Sequence, residues 1–261
     1  MRFFILLALP VLAFASPVAD RALEARDAIP TVPQQIPTGS ACAGVPAATT
    51  VSQAEVTAAV APCIGVQPRG SGQTTRNDIV DGICKPFTLI FARGTTEDPN
   101  LGNIVGPPFV KAFEVAFGGS KNVAVQGVNN YAAIGPEYCA GGSLTGSQNL
   151  ASLVQQTMTQ CPKTKLCVSG YSQGAQVVHN AFQILKTDPA STKFVNSVIT
   201  FGDPDRNLPV GNVPSYKVKV DCHAGDNICE NGSNVLVPHL TYCRDVGAYA
   251  AFAKLRSVSS K

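Results

Sequence analysis

The run Leu166-Cys167-Val168-Ser169-Gly170-Tyr171-Ser172-Gln173-Gly174-Ala175 decides how this chain is read. It starts as an apolar, strand-like segment and leads into a stretch, 176–185, with the apolar spacing of a helix. Between the two, a serine stands with a glycine two residues away on either side. In Gly-x-Ser-x-Gly between a strand and a helix, the chain turns so sharply that the serine is held in a strained conformation with its hydroxyl above the sheet. Side chains at the glycine positions would collide with the turn. The helix that follows offers N-terminal N–H groups, which favour negative charge beside the serine oxygen. The pentapeptide alone is common; its position between strand and helix gives it weight.

Outward from this turn, apolar strands are predicted over 87–92, 123–128, 165–169, 195–201 and 216–220. Helices are predicted over 108–117, 147–159, 176–185 and 246–258, the second with Leu150, Leu153, Val154 and Met158 on one face. Strands that alternate with helices and are apolar on both sides imply an α/β fold, a central parallel sheet with helices on both faces. Residues 27–83, rich in Pro, Gly, Thr and Ser, read as an irregular N-terminal arm with one helical stretch over 51–60. The catalytic-looking domain is therefore set at 84–261.

The start of the chain reads as an export signal. Arg2 precedes an apolar run that closes on Ala13-Phe14-Ala15, which makes 1–15 a signal peptide. The competing reading, a membrane anchor, needs about 20 apolar residues, more than this run supplies. Residues 16–26 read as a propeptide ending at Arg26. The expected product is a secreted, extracellular protein without stable membrane insertion. Its 20 basic and 17 acidic residues form no dense cationic run, so no nucleic-acid partner is expected. Nothing in the sequence indicates an obligate oligomer, and a monomer is expected.

Nine cysteines in an exported chain imply disulfides, with at least one thiol left over. Cys222 and Cys229 would close a small loop. Cys84 and Cys161 flank the catalytic-looking half and could tie its first strand to a helix end. Cys42 and Cys63 bracket the short helical piece of the arm and could pair locally, while Cys167, inside an apolar strand, is the candidate for a buried free thiol. No Cys-x-x-Cys pair or close Cys/His grouping supports zinc, so no metal is expected.

A serine nucleophile needs a histidine to take its proton and a carboxylate to orient that histidine. The chain has three histidines. His179 lies two turns into the helix after the serine and would point away from it, as a satisfied or exposed helix residue. His223 precedes Asp226 and cannot complete the order Ser, Asp, His with it. His239, in a loop before the last helix, follows every plausible acid. The order Ser172, Asp226, His239 is that of α/β-hydrolases. The bland reading of Asp226, a solvated turn residue, is weakened by the small Cys222/Cys229 loop around it.

Four motifs then point the same way: Phe91-Ala92-Arg93-Gly94-Thr95-Thr96-Glu97, Gly170-Tyr171-Ser172-Gln173-Gly174, Cys222-His223-Ala224-Gly225-Asp226-Asn227-Ile228-Cys229 and Pro238-His239-Leu240-Thr241-Tyr242. In this order and spacing, from about Cys84 to Val258, the sequence resembles the fungal cutinase family of serine esterases, small α/β-hydrolases. The resemblance implies Ser172 as nucleophile, His239 as base and then acid, and Asp226 as the residue that fixes the imidazole. Gln173 and Thr95 would supply oxyanion-hole N–H groups, Thr95 standing where the family often has serine and keeping the hydroxyl. Disulfides Cys84–Cys161 and Cys222–Cys229 follow from the match. Cys139, Cys167 and Cys243 have no clear counterpart; Cys139 with Cys243 is one candidate pair. The arm is longer than in compact members and would pack near the active-site mouth or be removed.

The same resemblance puts Val235, Leu240 and Ile134 on an apolar rim for acyl chains or a polymer surface, though Ile134 could equally be an ordinary core residue, a reading that fits Leu240 less well. The expected reaction is hydrolysis of cutin, similar aliphatic polyesters or short to medium acyl esters through an acyl-enzyme, with no cofactor. Two alternatives stand beside it. An acetylxylan esterase would need a narrow acyl site and an aromatic-lined sugar groove, which the absence of tryptophan disfavours. A noncatalytic secreted binding protein would show no ester hydrolysis at all. Asn231-Gly232-Ser233 is an N-glycosylation acceptor between Asp226 and His239.

Overall fold

The computed structural model describes residues 58–59 and 74–258. Five strands form one sheet: β1 (Phe87–Ala92), β2 (Val123–Gly127), β3 (Lys165–Tyr171), β4 (Val195–Phe201) and β5 (Val218–Asp221). All neighbours pair parallel in the order β2-β1-β3-β4-β5. The major helices are α1 (Gly106–Ala116), α2 (Gly135–Cys139), α3 (Leu144–Gln160), α4 (Gln173–Ile184), α5 (Pro189–Phe194) and α6 (Val246–Val258).

The central strands are buried along nearly their whole length, and successive side chains serve opposite cores. Ile90, Val168 and Val198 face α3 and α4 with Leu150, Val154 and Phe182. Leu89, Cys167 and Ile199 face α1 and α6 with Phe109, Phe113 and Ala250. Strands buried on both faces read as near-continuous apolar runs, and the polar residues they do contain, among them Thr88, Gln126, Ser169 and Thr200, are buried as well. Each fully buried Leu, Ile or Phe contributes about 1.5–3 kcal/mol.

The strand order places the functional end. β1 has β2 on one side and β3 on the other, and the helices that follow β1 and β3 pack on opposite faces. The loops leaving these two strands therefore diverge, which opens a crevice at their carboxyl ends.

Several boundaries differ from the sequence expectation. α4 begins at Gln173 rather than 176, because Ser172 itself is its first flanking residue and no loop intervenes. β5 begins at Val218, since Ser215–Lys217 form a 3-10 turn that leaves Tyr216 63% exposed. On α3, Thr157 continues the buried face in place of half-buried Met158, with its hydroxyl donating to Leu153 O. α2 and α5 escaped prediction because five or six residues are too short to show a period. The chain also packs from residue 74, ahead of Cys84. Asn77 bridges Gln126, Asp78 Oδ2 accepts from Val125 N, and Ile79 is fully buried. An open edge on β2 would expose unpaired backbone, and this segment partners part of it.

Cys84–Cys161 and Cys222–Cys229 are disulfides. Cys167 is free and buried, and burial pushes its thiol up to about 12. Cys139 and Cys243 are each disulfide-bonded, but no bond joins the two among the described residues. The pair Cys42/Cys63, the signal peptide, the propeptide and nearly all of the arm lie outside the described residues.

His179 is buried on α4, its Nε2 2.9 Å from Asp203 Oδ2, which also accepts from Thr200 Oγ1. Burial alone would lower the imidazole pKa; the Asp203 charge and hydrogen bond reverse that and raise it above its usual value. Burial alone would raise Asp203, and His179 and Thr200 bring it below the usual range. The His179 contribution is therefore full below the unfolded value of about 6.5 and is lost as pH rises through the folded value. The Asp203 contribution is present above about 3.9 and is lost as pH falls through its depressed folded value. In urea melts at pH 6, His179→Ala should cost about 3–5 kcal/mol, because it strands a buried carboxylate. Between pH 6 and 9 the gap between wild type and variant should narrow.

Candidate active site

The turn after β3 has the geometry its glycines require. Ser172 has φ 56° and ψ −124°, and its N–H donates to Phe201 O at 2.9 Å. A Cβ on Gly170 would lie 2.2 Å from Gly174 O, and one on Gly174 would lie 2.1 Å from Ala92 O. The first contact closes the turn on itself. The second lets the helix abut the end of β1, which pairs with β3 up to Ala92 opposite Gly170.

That approach brings the loop after β1 beside Ser172. Its shape is held by Glu97, a buried carboxylate that accepts from the N–H groups of Gly94, Asn103 and Ile104 at 2.7–2.9 Å. Burial raises the Glu97 pKa above its usual value in spite of these bonds. Arg93 donates to Glu97 O and to Tyr131 O, with its guanidinium over the Tyr131 ring. The Tyr131 hydroxyl donates to Gln173 Oε1, and Gln173 Nε2 donates to Ile134 O. Thr96 N donates to Ala133 O. The loop after β1, the 129–134 loop and the first residue of α4 are thus cross-linked. No hydrogen bond among the described residues takes the Thr95 N–H. The Gln173 N–H opens α4, where the helix provides no acceptor.

Asp226 and His239 meet at the end of β5. Asp226 lies in the short loop closed by the Cys222–Cys229 disulfide, a sequence separation of 7, and His239 in the 3-10 turn Val237–Leu240. His239 Nδ1 is 2.8 Å from Asp226 Oδ2, and both residues are buried. Asp226 Oδ2 also accepts from the Tyr242 hydroxyl at 2.5 Å, and Oδ1 accepts from Ile228 N at 2.9 Å. Burial alone would raise the Asp226 pKa; His239, Tyr242 and the Ile228 N–H together hold it below the usual carboxylate range. An ionised carboxylate only accepts, so the proton between the two residues resides on His239 Nδ1 and leaves Nε2 as the basic nitrogen.

The imidazole is held from several sides. Tyr171 stacks on it at 4.9 Å, and the Tyr171 hydroxyl donates to His239 O. Gly202, at φ 55°, gives it room, since a Cβ there would lie 2.6 Å from Cε1. His223 anchors the same turn through Nδ1, which faces Pro238 O and Thr241 Oγ1 at 3.1 and 2.9 Å. Its Nε2 is 2.9 Å from Asp245 Oδ2 and 3.9 Å from Asp221 Oδ2. These three side chains are the described residues close enough together to share a cation, and His223 already pairs with Asp245.

A cleft of about 310 Å³ is lined by Ser172, His239, Thr95, Thr96 and Glu97, with Ile104, Ile228, Val235 and Leu240 as apolar wall. Tyr138 and Ser233 complete a rim, and the Tyr138 hydroxyl donates to Gly232 O across it. Asp226 sits behind His239, out of the lining. Among the described residues no hydrogen bond joins the Ser172 hydroxyl to His239, although both line the cleft. Leu240 is buried in the wall rather than exposed on a lip, and Val235 is half-buried. Ile134, 48% exposed, is not part of the lining; its carbonyl instead positions Gln173. Sequence reasoning did not single out Glu97, Tyr138, Tyr171, Ile104 or Ile228. Glu97, Tyr171 and Ile228 lay inside quoted motifs but carried no separate signal, and Ile104 looked like any core residue.

A family model described as Cutinase matches residues 83–256. A cutinase of Monilinia fructicola is 51% identical over 171 residues, covering 66% of this chain and 83% of the relative, and one of Botryotinia fuckeliana is 48% identical over the same length. Among solved structures, Trichoderma reesei cutinase in complex with a C11Y4 phosphonate inhibitor superposes with a TM-score of 0.66 at 36% identity, covering 82% of this chain and 94% of that one. An acetylxylan esterase gives 0.50 at 26% identity, covering 67% and 99%. The chain belongs to the cutinase family and is a carboxylic ester hydrolase.

Proposed function

We propose that the enzyme is secreted and cleaves aliphatic esters, including polyesters of the cutin type, through Ser172, His239 and Asp226. The observation that carries this reading is the buried Asp226–His239 hydrogen bond beside a serine held at positive φ. In the first half-reaction Ser172 Oγ attacks the ester carbonyl carbon while His239 Nε2 takes its proton. The tetrahedral intermediate expels the alcohol, which receives that proton, and an acyl-serine remains. Water then gives a proton to His239 and attacks the acyl carbon; the acid leaves, and the proton returns to Ser172. The free N–H groups of Thr95 and Gln173 are the donors for the developing oxyanion, each worth about 3 kcal/mol in such chemistry.

The wall of Ile104, Ile228, Val235 and Leu240 supports an acyl chain rather than acetate alone. The likeness to an acetylxylan esterase supports the second reading, deacetylation of a polysaccharide. Hydrolysis of p-nitrophenyl esters from acetate to palmitate separates them. The proposal expects a maximum at short to medium chains that Ser172→Ala abolishes; turnover confined to acetate would favour the second reading. If wild type and Ser172→Ala are equally inert, neither holds and a binding role stands.

Asp226→Asn should lower kcat by about 10⁴, because the histidine loses its correct tautomer. Tyr242→Phe removes one donor to Asp226 and the acceptor of the His223 N–H, which is 3.0 Å away. Denaturant melts should show a loss of about 1–3 kcal/mol. With one hydrogen bond fewer, Asp226 should titrate higher than in the wild type; an unmoved Asp226 carboxyl titration by 13C NMR would mean that Tyr242 does not tune it.

A further inference from the structure

At the opposite end of the sheet from Ser172, about 20 Å along β3 at ~3.3 Å per residue, lies a second recess of about 610 Å³. Its wall carries Lys163, Lys165, Lys193, Lys217 and Arg256 and no acidic side chain. Four segments that are remote in sequence contribute these charges: the approach to β3, α5, the turn before β5, and the last turn of α6. In a chain with 20 basic and 17 acidic residues, five cations around one recess without an acid is a segregated distribution.

Two of the five are built into the fold. Lys217 Nζ donates to Lys193 O and Val195 O at 3.2 and 2.6 Å, and Arg256 lies over the Tyr216 and Phe252 rings with Nη1 3.4 Å from Tyr216 O. The ammonium groups of Lys163, Lys165 and Lys193 make no hydrogen bond or ion pair with any described residue. Gathering like charges raises the free energy of the folded chain and focuses a positive potential in the recess, both of which an anion relieves.

We propose that this recess binds an acidic polysaccharide, a chain of carboxylate-bearing sugars of the polyuronate type. The recess is larger than one small anion needs. Its charges are mostly lysines, point charges that suit carboxylates spaced along a polymer better than the forked geometry arginine offers a single phosphate. Tyr216, 63% exposed at its edge, offers a ring face to a sugar. Because the recess is far from Ser172, a bound polymer leaves the ester cleft open, and one molecule can hold an acidic matrix while it works on an ester. Two simultaneous attachments raise the effective concentration at the second. The assignment does not depend on the catalytic roles proposed above.

The test is sedimentation of the full protein with polygalacturonate, with neutral galactan as control, at about 20 and about 500 mM salt, since exposed charge contacts weaken with screening. The comparison is with the triple variant Lys163→Gln, Lys165→Gln, Lys193→Gln, and with a charge-matched variant, Lys111→Gln, Lys121→Gln, Lys186→Gln, altered at residues outside the recess lining. The proposal expects wild type and the charge-matched variant to bind polygalacturonate at low salt, binding to fall at high salt, galactan to be ignored, and the recess variant to bind at least about tenfold more weakly. Its p-nitrophenyl butyrate hydrolysis should stay unchanged, and its melting temperature should not fall. Equal binding by the recess variant, equal loss in both variants, or no binding by wild type overturns the proposal. If inorganic phosphate or phosphatidylserine vesicles displace the polymer at equal charge concentration, the recess is a general anion site and the assignment to a polysaccharide fails.

Discussion

The contact on which the site depends is the approach of Gly174 to the carbonyl of Ala92. With a Cβ at 2.1 Å excluded, the start of α4 can seat against the end of β1. Only then do the loop after β1 and the serine after β3 share one crevice. The positive φ of Ser172 is a strained conformation that persists because the sheet and the helix fix both of its ends. Strand pairing on one side and a helix buried through its first seven residues on the other supply that constraint, so the hydrophobic cores and the serine geometry are parts of the same arrangement.

The histidine side is built differently. His239 lies in a short 3-10 turn with little regular structure around it, and its position is set by side chains from elsewhere: Tyr171 from β3, His223 and Asp226 from the segment after β5, and Tyr242 beyond the turn. The Tyr242 hydroxyl accepts from the His223 N–H and donates to Asp226, and so joins the two halves of this web. A rigid frame carries the serine, while a hydrogen-bonded network carries the histidine. Buried networks of this kind are stiff when fully satisfied and costly when one member is lost.

How much could be read in advance follows from the physics of each part. Strands buried on both faces and helices of ten or more residues announce themselves by their apolar pattern, and five strands and four helices appear near their expected places. The serine turn was legible because two steric demands require glycine at fixed offsets. The Asp226–His239 pairing was reached through chain order and family resemblance, since nothing local in Ala224-Gly225-Asp226 separates a buried carboxylate from a solvated turn. The clamp formed by Glu97, Arg93, Tyr131 and Gln173 was illegible, because its partners are 38 and 42 residues apart and leave no periodic trace. Leu240 shows the converse: an apolar residue can be recognised in sequence, but whether it stands on a rim or in a wall depends on the turn that carries it.

The Cys222–Cys229 bond ties the position of the Asp226 carboxylate to the redox state of the surroundings. Its two cysteines are only 7 positions apart in sequence, and the loop between them contains Asp226. Such a bond forms where thiols are oxidised and is kept open in the cytosol. While these two thiols are reduced, the chain lacks the staple that holds this carboxylate behind the histidine, and their oxidation supplies it. The redox state of the surroundings therefore decides whether the Asp226–His239 pair is locked in place.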